Sequence, residues 1–480
     1  MKPNRIPVST KISDYLRNIY GDEWTEQYCR YALEETTDFI RVNTLKTTPE
    51  KLIAVLRDEY SITSEQIPGI PAALKIQDPN RVAGKTMEHI TGHYYLQSLS
   101  SMLPPYVLEP KPHETVLDMC AAPGSKTTLI AELMKNEGTL VANEVAPNRA
   151  GILSFNLERL NIINCGILQL NGEILPSYFP EYFDKILVDA PCSGLGIVHK
   201  KGEVSNWWSE DMADRLASLQ YRLLVAAIKM LKQGGTLVYS TCTLSITENE
   251  EVVNLALQKY PVELEEFSLP IPNNPGFTSF GERQFSETLA LTKRITPWES
   301  GSEGFFLAKF TKNESFPYIP KGGNKLRTTF RSCKKDELKP IIEQLERQFG
   351  IAPGVFDNYS IVEKADDYYI LSRDWDGGDF ISFNKAGLKI GALDKYGNFI
   401  IHTNLAQLLE AHITKNIVTL QSNDEIKKYM DGAILKNISP ETKGQVAVRF
   451  KERIIGTGVV NDGNLKSRFP RAFRTQAISF

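Results

Sequence analysis

The chain has 480 residues, 42% of them hydrophobic and 24% charged, and a formal net charge of −3 at pH 7. That length exceeds what one hydrophobic core serves, so about two to four domains are expected, of ordinary soluble composition. No apolar run reaches membrane-spanning length, the N-terminus lacks the apolar stretch of a secretory signal, and the charge argues against a nucleic-acid binder driven by overall charge. The six cysteines are spread without CxxC or His-paired spacing. They imply reduced thiols in a cytoplasmic protein and no structural zinc.

Residues 1 to about 85 read as mostly helical, with helical spacing in "DEWTEQYCRYALEE" and "TPEKLIAVLRDEY" and a short strand around "FIRVNTLK" (39–46). "IPGIPAALKIQDPN" reads as a proline-rich crossing, and "HYYLQSLSSMLPPYVLEPKPHE" as a helix ended by prolines. From about 113 to 310 strands and helices alternate. "TVLDMC" leads into the helix "KTTLIAELMKN", and "GTLVANE" into "PNRAGILSFNLERLN". "FDKILVDAP" precedes the long helix "MADRLASLQYRLLVAAIKMLK", expected to stop at Gly234-Gly235, and "GTLVYSTC" precedes "ITENEEVVNLALQKY". This pattern predicts an α/β, doubly wound parallel sheet whose ligands bind at the C-terminal strand ends.

Beyond about 312, "TKNESFPYIPKGGNK" reads as a linker, followed by a helix in "KKDELKPIIEQLERQFG". After about 380, short strands and glycine turns predict a small mixed or barrel-like module. The resulting division is an N-terminal domain (1–112), a catalytic domain (113–312), a connecting region (313–380) and a β-rich module (381–480). From Lys443 onward the bases Lys443, Arg449, Lys451, Arg453, Lys466, Arg468, Arg471 and Arg474 face only Glu452 and Asp462. Such an end is more often a solvated surface; here it stays open as a polyanion contact.

The turn "VLDMCAAPGSKTT" (116–128) opens a helix with small residues. It lacks the Gly-x4-Gly-Lys-Ser/Thr of a phosphate loop and the GxGxxG of a dinucleotide site, Gly124 standing alone. S-adenosylmethionine, which has no phosphates, fits better, because it needs close backbone approach rather than a diphosphate cradle. The next strand ends in Glu144, an acid able to accept from both hydroxyls of a ribose, and a later one in Asp189. Two cysteines, Cys192 in "VDAPCSGLG" and Cys242 in "LVYSTCTLS", each follow a predicted strand end. A lone cysteine is usually an inert small residue. Two at strand ends beside a methyl-donor turn point to nucleophilic catalysis. Cys29, Cys165 and Cys333 lack such surroundings and read as structural. His199 reads as part of an exposed loop before a phosphate ligand, and Trp207-Trp208 as core before a base-stacking pair.

Through "RVNTLK" (41–46), "DMCAAPGSKT" (118–127), "FDKILVDAPCSGLG" (183–196) and "GGTLVYSTCTLSITENE" (234–250), the sequence resembles the RNA cytosine-5 methyltransferases. "NDGNLKSRFPRAFR" (461–474) is similar to the close of the branch acting on bacterial 16S ribosomal RNA, whose C-terminal part is a PUA-like RNA-binding module. The resemblance implies a Rossmann-like methyltransferase sheet and S-adenosylmethionine as cofactor. Cys120, Ala121, Ala122, Pro123, Gly124, Ser125 and Lys126 would form the cofactor turn, Glu144 would hold the ribose, and Asp189 would lie beside cofactor and base. Asn171 stands where the family usually has an aspartate near the adenine; it keeps hydrogen bonding but carries no charge. Cys242 would attack carbon 6 of the cytosine, making carbon 5 nucleophilic, and Cys192 would assist product release. Asp189 would stabilise charge on the pyrimidine edge, and Lys126 would either complete this site or orient Asp189. The implied partner is ribosomal RNA, acted on by a cytoplasmic monomer without DNA or membrane. The alternatives are the same chemistry on transfer RNA, or a ribosome-assembly RNA-binding protein without turnover.

Overall fold

The computed structural model describes residues 7–34, 37–315, 330–377, 383–436, 438, 443–474 and 478–479. Two helices come first, α1 (Thr10–Tyr20) and α2 (Asp22–Tyr31). Between them Gly21 sits at φ 83°, a backbone state costly for other residues. A small antiparallel sheet follows, formed by β1 (Asp38–Val42), β2 (Thr63–Ile67), β3 (Ile70–Gln77) and β4 (Tyr94–Leu96) in the order β2-β3-β1-β4. Helix α3 (Pro49–Tyr60) carries Pro49 in its first turn and packs Leu52 and Leu56 on this sheet. The expected proline-rich crossing is therefore strand β3. Its Pro71 lies at the bulge between the Ile67–Ile70 and Gln66–Leu74 pairs and outside the stretch paired with β1, where no ladder donor is required.

The helix expected over 93–114 is likewise shorter. Tyr94–Leu96 is strand, and α4 spans Leu99–Leu108 with Pro104 and Pro105 inside it. Pro105 cannot donate to Ser101 O, which instead accepts from Gln97 Nε2 at 3.0 Å.

The chain then enters the doubly wound sheet. Its elements are β5 (Thr115–Asp118), α5 (Ser125–Leu133), β6 (Thr139–Asn143), α6 (Pro147–Arg159), β7 (Cys165–Leu168), β8 (Phe183–Asp189), α7 (Glu210–Met230), β9 (Leu231–Thr241) and α8 (Glu250–Lys259). The parallel strands run β9-β8-β5-β6-β7. Strands β10 (Lys293–Ile295) and β11 (Phe305–Lys312) extend the sheet antiparallel beyond β9. Helix α7 stops at Met230 rather than at the glycine pair, and β9 runs directly through Gly234 and Gly235. The order reverses at β5, whose neighbours are β6 and β8, so a crevice opens beyond the C-terminal ends of β5 and β8.

The C-terminal part holds a helix (Lys335–Phe349) and two five-stranded sheets. The first already includes Tyr359–Lys364 and Asp367–Ser372, so β structure begins inside the stretch expected to be only a connection. Most of the expected linker, and the boundary at 380–381, lie outside the described residues. A short strand, Lys385–Ala386, pairs with Ile167 and Gly166 of β7 and becomes the other edge of the catalytic sheet. Among the described residues no helix is long and apolar enough to cross a membrane.

Candidate active site

The turn after β5 is built by backbone contacts that small side chains permit. Met119 N donates to Leu187 O of β8, Ala121 N to Asn143 O of β6, and Gly124 N closes the turn on Ala121 O at 2.8 Å. Gly124 sits at φ 105°, and a Cβ there would meet Leu153 Cδ1 at 3.0 Å. A cavity of about 350 Å³ opens over the turn, lined by Asp118, the run Cys120–Pro123, Ser125, Lys126 and Asp189 among others. Asp118 is buried, and Thr127 Oγ1 donates to its Oδ2 at 2.7 Å, while Oδ1 has no protein partner. Burial pushes its pKa up to about 7 against the pull of that hydrogen bond.

Glu144 is buried at the end of β6. Its Oε1 accepts from Ala146 N at 3.0 Å, and its Oε2 lies 3.2 Å from Arg149 Nη1. Arg149 also donates to Ala122 O at 2.6 Å, which ties the predicted ribose acid to the cofactor turn. Asn171 is exposed at the start of a short helical turn, its Oδ1 accepting from Glu173 N at 3.0 Å, and it does not line the cavity. Of the predicted cofactor residues, then, the turn and Asp189 share one cavity, Glu144 adjoins it through Arg149, and Asn171 stands apart.

At the end of β8, Asp189 is held from two sides. Lys126 Nζ lies 2.9 Å from its Oδ2, and Ser240 Oγ donates to its Oδ1 at 2.8 Å. Lys126 also donates to Ser101 Oγ at 2.9 Å. Burial alone would lower the Lys126 pKa, but the charge and hydrogen bond of Asp189 outweigh it and hold the ammonium above the ordinary lysine value. Lys126 thus pairs with Asp189 and lines the same cavity.

Cys192 and Cys242 come from different loops, after β8 and β9, yet their Sγ atoms lie 3.2 Å apart. The thiol contact with Cys242, burial, and the charges of Cys242 and Glu248 push the Cys192 pKa well above the ordinary thiol range. The two loops touch through glycine. Gly196 N donates to Cys242 O at 2.9 Å, and Gly304 N donates to Gly196 O at 2.9 Å. Helices α1 and α2 brace the same loops, with Tyr20 OH donating to Leu244 O at 3.1 Å, Tyr15 OH bonded to Ser245 Oγ at 2.8 Å, and Tyr28 OH donating to Leu195 O.

Sequence reasoning missed Ser101, Ser240 and the buried Glu248. Glu248 falls unremarked within the expected helix "ITENEEVVNLALQKY", although its position six residues after Cys242 in "STCTLSITENE" placed it beside the site. His199 is half-buried against Tyr31, with its pKa lowered to about 4 by burial. Trp208 is buried and Trp207 half-exposed. Cys165 is buried in β7, as a structural cysteine should be.

A doubly wound sheet with a small-residue turn at its switch point, an acid at the next strand end and two thiols beside it defines an S-adenosylmethionine-dependent methyltransferase. The family model described as 16S rRNA methyltransferase RsmB/F matches residues 105–311. The ribosomal RNA small subunit methyltransferase F of Aeromonas hydrophila is 32% identical over 454 residues, covering 92% of this chain and 91% of that protein. The tRNA (cytosine(49)-C(5))-methyltransferase of Pyrococcus abyssi is 39% identical over 294 residues, 60% of this chain and 92% of its own length. A crystal structure of a methyltransferase homologue from Pyrococcus horikoshii, 34% identical, superposes with a TM-score of 0.56 over 62% of this chain and 93% of that one. The chain belongs to the RsmB/F family of RNA methyltransferases.

Proposed function

We propose that this enzyme methylates carbon 5 of a cytidine in 16S ribosomal RNA through a covalent adduct on Cys242. The observation that carries the reading is the pair of strand-end thiols beside the Lys126–Asp189 pair and the cofactor turn. The residues fit S-adenosylmethionine: the side chains of Ala121, Ala122 and Pro123 leave room, and Asp118 Oδ1 lacks a protein partner. The backbone from Cys120 to Ser125 would hold the cofactor, with Glu144 toward the ribose, while Asn171 stands outside the cavity. Bound there, it supplies an electrophilic methyl group.

The protein supplies the rest. Carbon 5 of cytosine is a weak nucleophile until a thiolate adds to carbon 6, which turns the ring enamine-like. Cys242 makes that addition, and Asp189, steadied by Lys126 and Ser240, hydrogen-bonds the pyrimidine edge as charge develops there. Cys192 can take the carbon-5 proton only after losing its own to solvent; its raised pKa makes that thiolate a strong base, and Cys242 then leaves by elimination.

Support for ribosomal RNA comes from coverage: the small-subunit enzyme aligns over 92% of this chain, whereas the tRNA enzyme aligns over 60%. Regions 1–112 and 381–480 flank the catalytic domain (113–312) as RNA-contacting parts. Bisulfite sequencing of 16S ribosomal and transfer RNA from a deletion strain tests this. Loss of one 5-methylcytidine from 16S RNA, restored by the wild-type gene but not by Cys242→Ala, is expected. Loss confined to transfer RNA would overturn the ribosomal assignment.

A further inference from the structure

Glu248 is wholly buried in the loop between Cys242 and α8, and four donors converge on its carboxylate. Oε1 accepts from Ser193 N at 2.8 Å and from Gln220 Nε2 at 3.0 Å. Oε2 accepts from Ser193 Oγ and from Thr243 Oγ1, the latter at 3.3 Å. The donors are not scattered. Ser193 follows Cys192, Thr243 follows Cys242, and Gln220 also donates to the carbonyl of Pro191, which precedes Cys192, at 2.8 Å. The backbone carbonyl of Glu248 accepts from Tyr239 OH of β9 at 2.7 Å. One carboxylate therefore joins the residue after each cysteine, with α7 as backing.

We propose that Glu248 is a positioning residue for the reaction, locking the two cysteine loops at thiol contact and setting its negative charge beside Cys192. The inference rests on the covalent reading above. A residue needed only to fill this space would be apolar, because a buried carboxylate is unfavourable unless donors surround it. Here the donors belong to the two catalytic loops. Burial pushes the Glu248 pKa up, against the hydrogen bonds from Ser193, Gln220 and Thr243. The titratable and charged groups around it are Cys192, Cys242, Tyr239 and Tyr15, with Asp189 and Lys126 beyond the thiols and Glu250 of α8 paired with Arg294 of β10. Among these, Glu248 places negative charge on the Cys192 side. Lys126 pairs with Asp189 and feels the charge of Cys242.

Glu248→Gln in the full chain tests the role, since it keeps the size and one acceptor but removes the charge. With a 16S RNA transcript and S-adenosylmethionine, turnover should fall by about tenfold or more, with a Cys242-linked RNA adduct accumulating on a denaturing gel. Iodoacetamide labelling of Cys192, read by peptide mass spectrometry, should move to lower pH. A purely structural role would leave that labelling profile in place. Thr243→Val, which removes one donor only, should shift both readouts in the same direction by less, and serves if the glutamine variant does not fold. Wild-type turnover and unchanged labelling in both variants would overturn the inference. Absence of any adduct even with Cys192→Ala would instead overturn the covalent reading itself.

Discussion

Cys192 and Cys242 are the same residue type in contact, so the different roles proposed for them must come from what surrounds them. Cys242→Ala should abolish methylation while S-adenosylmethionine binding, measured by calorimetry, stays near wild type, because the cofactor turn lies on other strands. Cys192→Ala should accumulate a slow-migrating RNA adduct that disappears in the double variant. Full turnover by either single variant would remove that cysteine from the mechanism. Asp118 gives a second prediction at this scale. Unfolded, its carboxyl ionises near 3.8; folded, its pKa is about 7. Below about pH 4 both states hold the proton. Between there and about 7 the unfolded chain releases it first, so stability falls as pH rises, by at most about 1.4 kcal/mol per unit. Asp118→Asn lacks this decline and should gain on the wild type across that window in urea unfolding of the cofactor-free protein. Parallel curves for the two proteins would show that Asp118 ionises freely in the fold. The motif marked this stretch in the sequence, but no pattern of letters shows that one carboxylate oxygen would be left without a donor.

Elements were legible where period and punctuation agreed. Strands β5 to β9, their helices and the strand-end placement of both cysteines follow from short apolar runs ended by glycine, proline or acid. Elements were illegible where a residue that normally breaks structure had its missing donor excused by its neighbours. Pro71 sits at a bulge in β3, and Pro105 frees a carbonyl that Gln97 takes up. The strands before residue 380 were hidden because "YSIVEKADDYYILS" pairs as a hairpin whose outer partners, Arg331–Ser332 and Leu388–Leu393, lie in separate stretches of the chain. The same dependence on distant partners governs Gly196. A Cβ there would stand 2.0 Å from Gly304 O and 2.8 Å from Cys242 O, both backbone atoms that cannot swing aside. Gly196→Ala should therefore cost about 1–3 kcal/mol in urea unfolding and lower methylation by about tenfold or more, with cofactor affinity retained. An alanine variant as active and stable as the wild type would mean that the two cysteine loops approach each other less closely than described.

Across the whole molecule, the N-terminal sheet and the C-terminal sheets are fastened to the catalytic domain and to each other. "RVNTLK" acts as a fastener: buried Arg41 reaches Thr128 at 2.7 Å and Glu132 at 2.8 Å on α5, and Lys46 reaches Arg159 O at 3.0 Å. Two bases of the C-terminal region are likewise engaged, Lys451 with Glu59 and Arg453 with Glu88. They are thus partnered within the fold, which net charge could not reveal. Lys466, Arg468, Arg471 and Arg474 instead line a groove of about 830 Å³ between the two C-terminal sheets. Phe473 rests on Phe155 of α6 with ring centroids 4.6 Å apart, so the groove adjoins the catalytic domain. Removing everything after residue 380 would be a poor test of that groove. It would strip the edge strand from β7 and take Phe383, which packs over Gly166, out of the main core. The cleaner variant is Lys466→Gln, Arg468→Gln and Arg471→Gln together in the full chain. If the groove carries single-stranded RNA, each phosphate contact contributes about 0.7 to the slope of log affinity against log salt, so three should flatten it by about 2. Filter binding across a salt series measures this, and calorimetry should find S-adenosylmethionine affinity unchanged, because none of the three residues lines the cofactor cavity. An unchanged slope in the folded variant would make these bases ordinary surface and move the phosphate contacts elsewhere on the molecule.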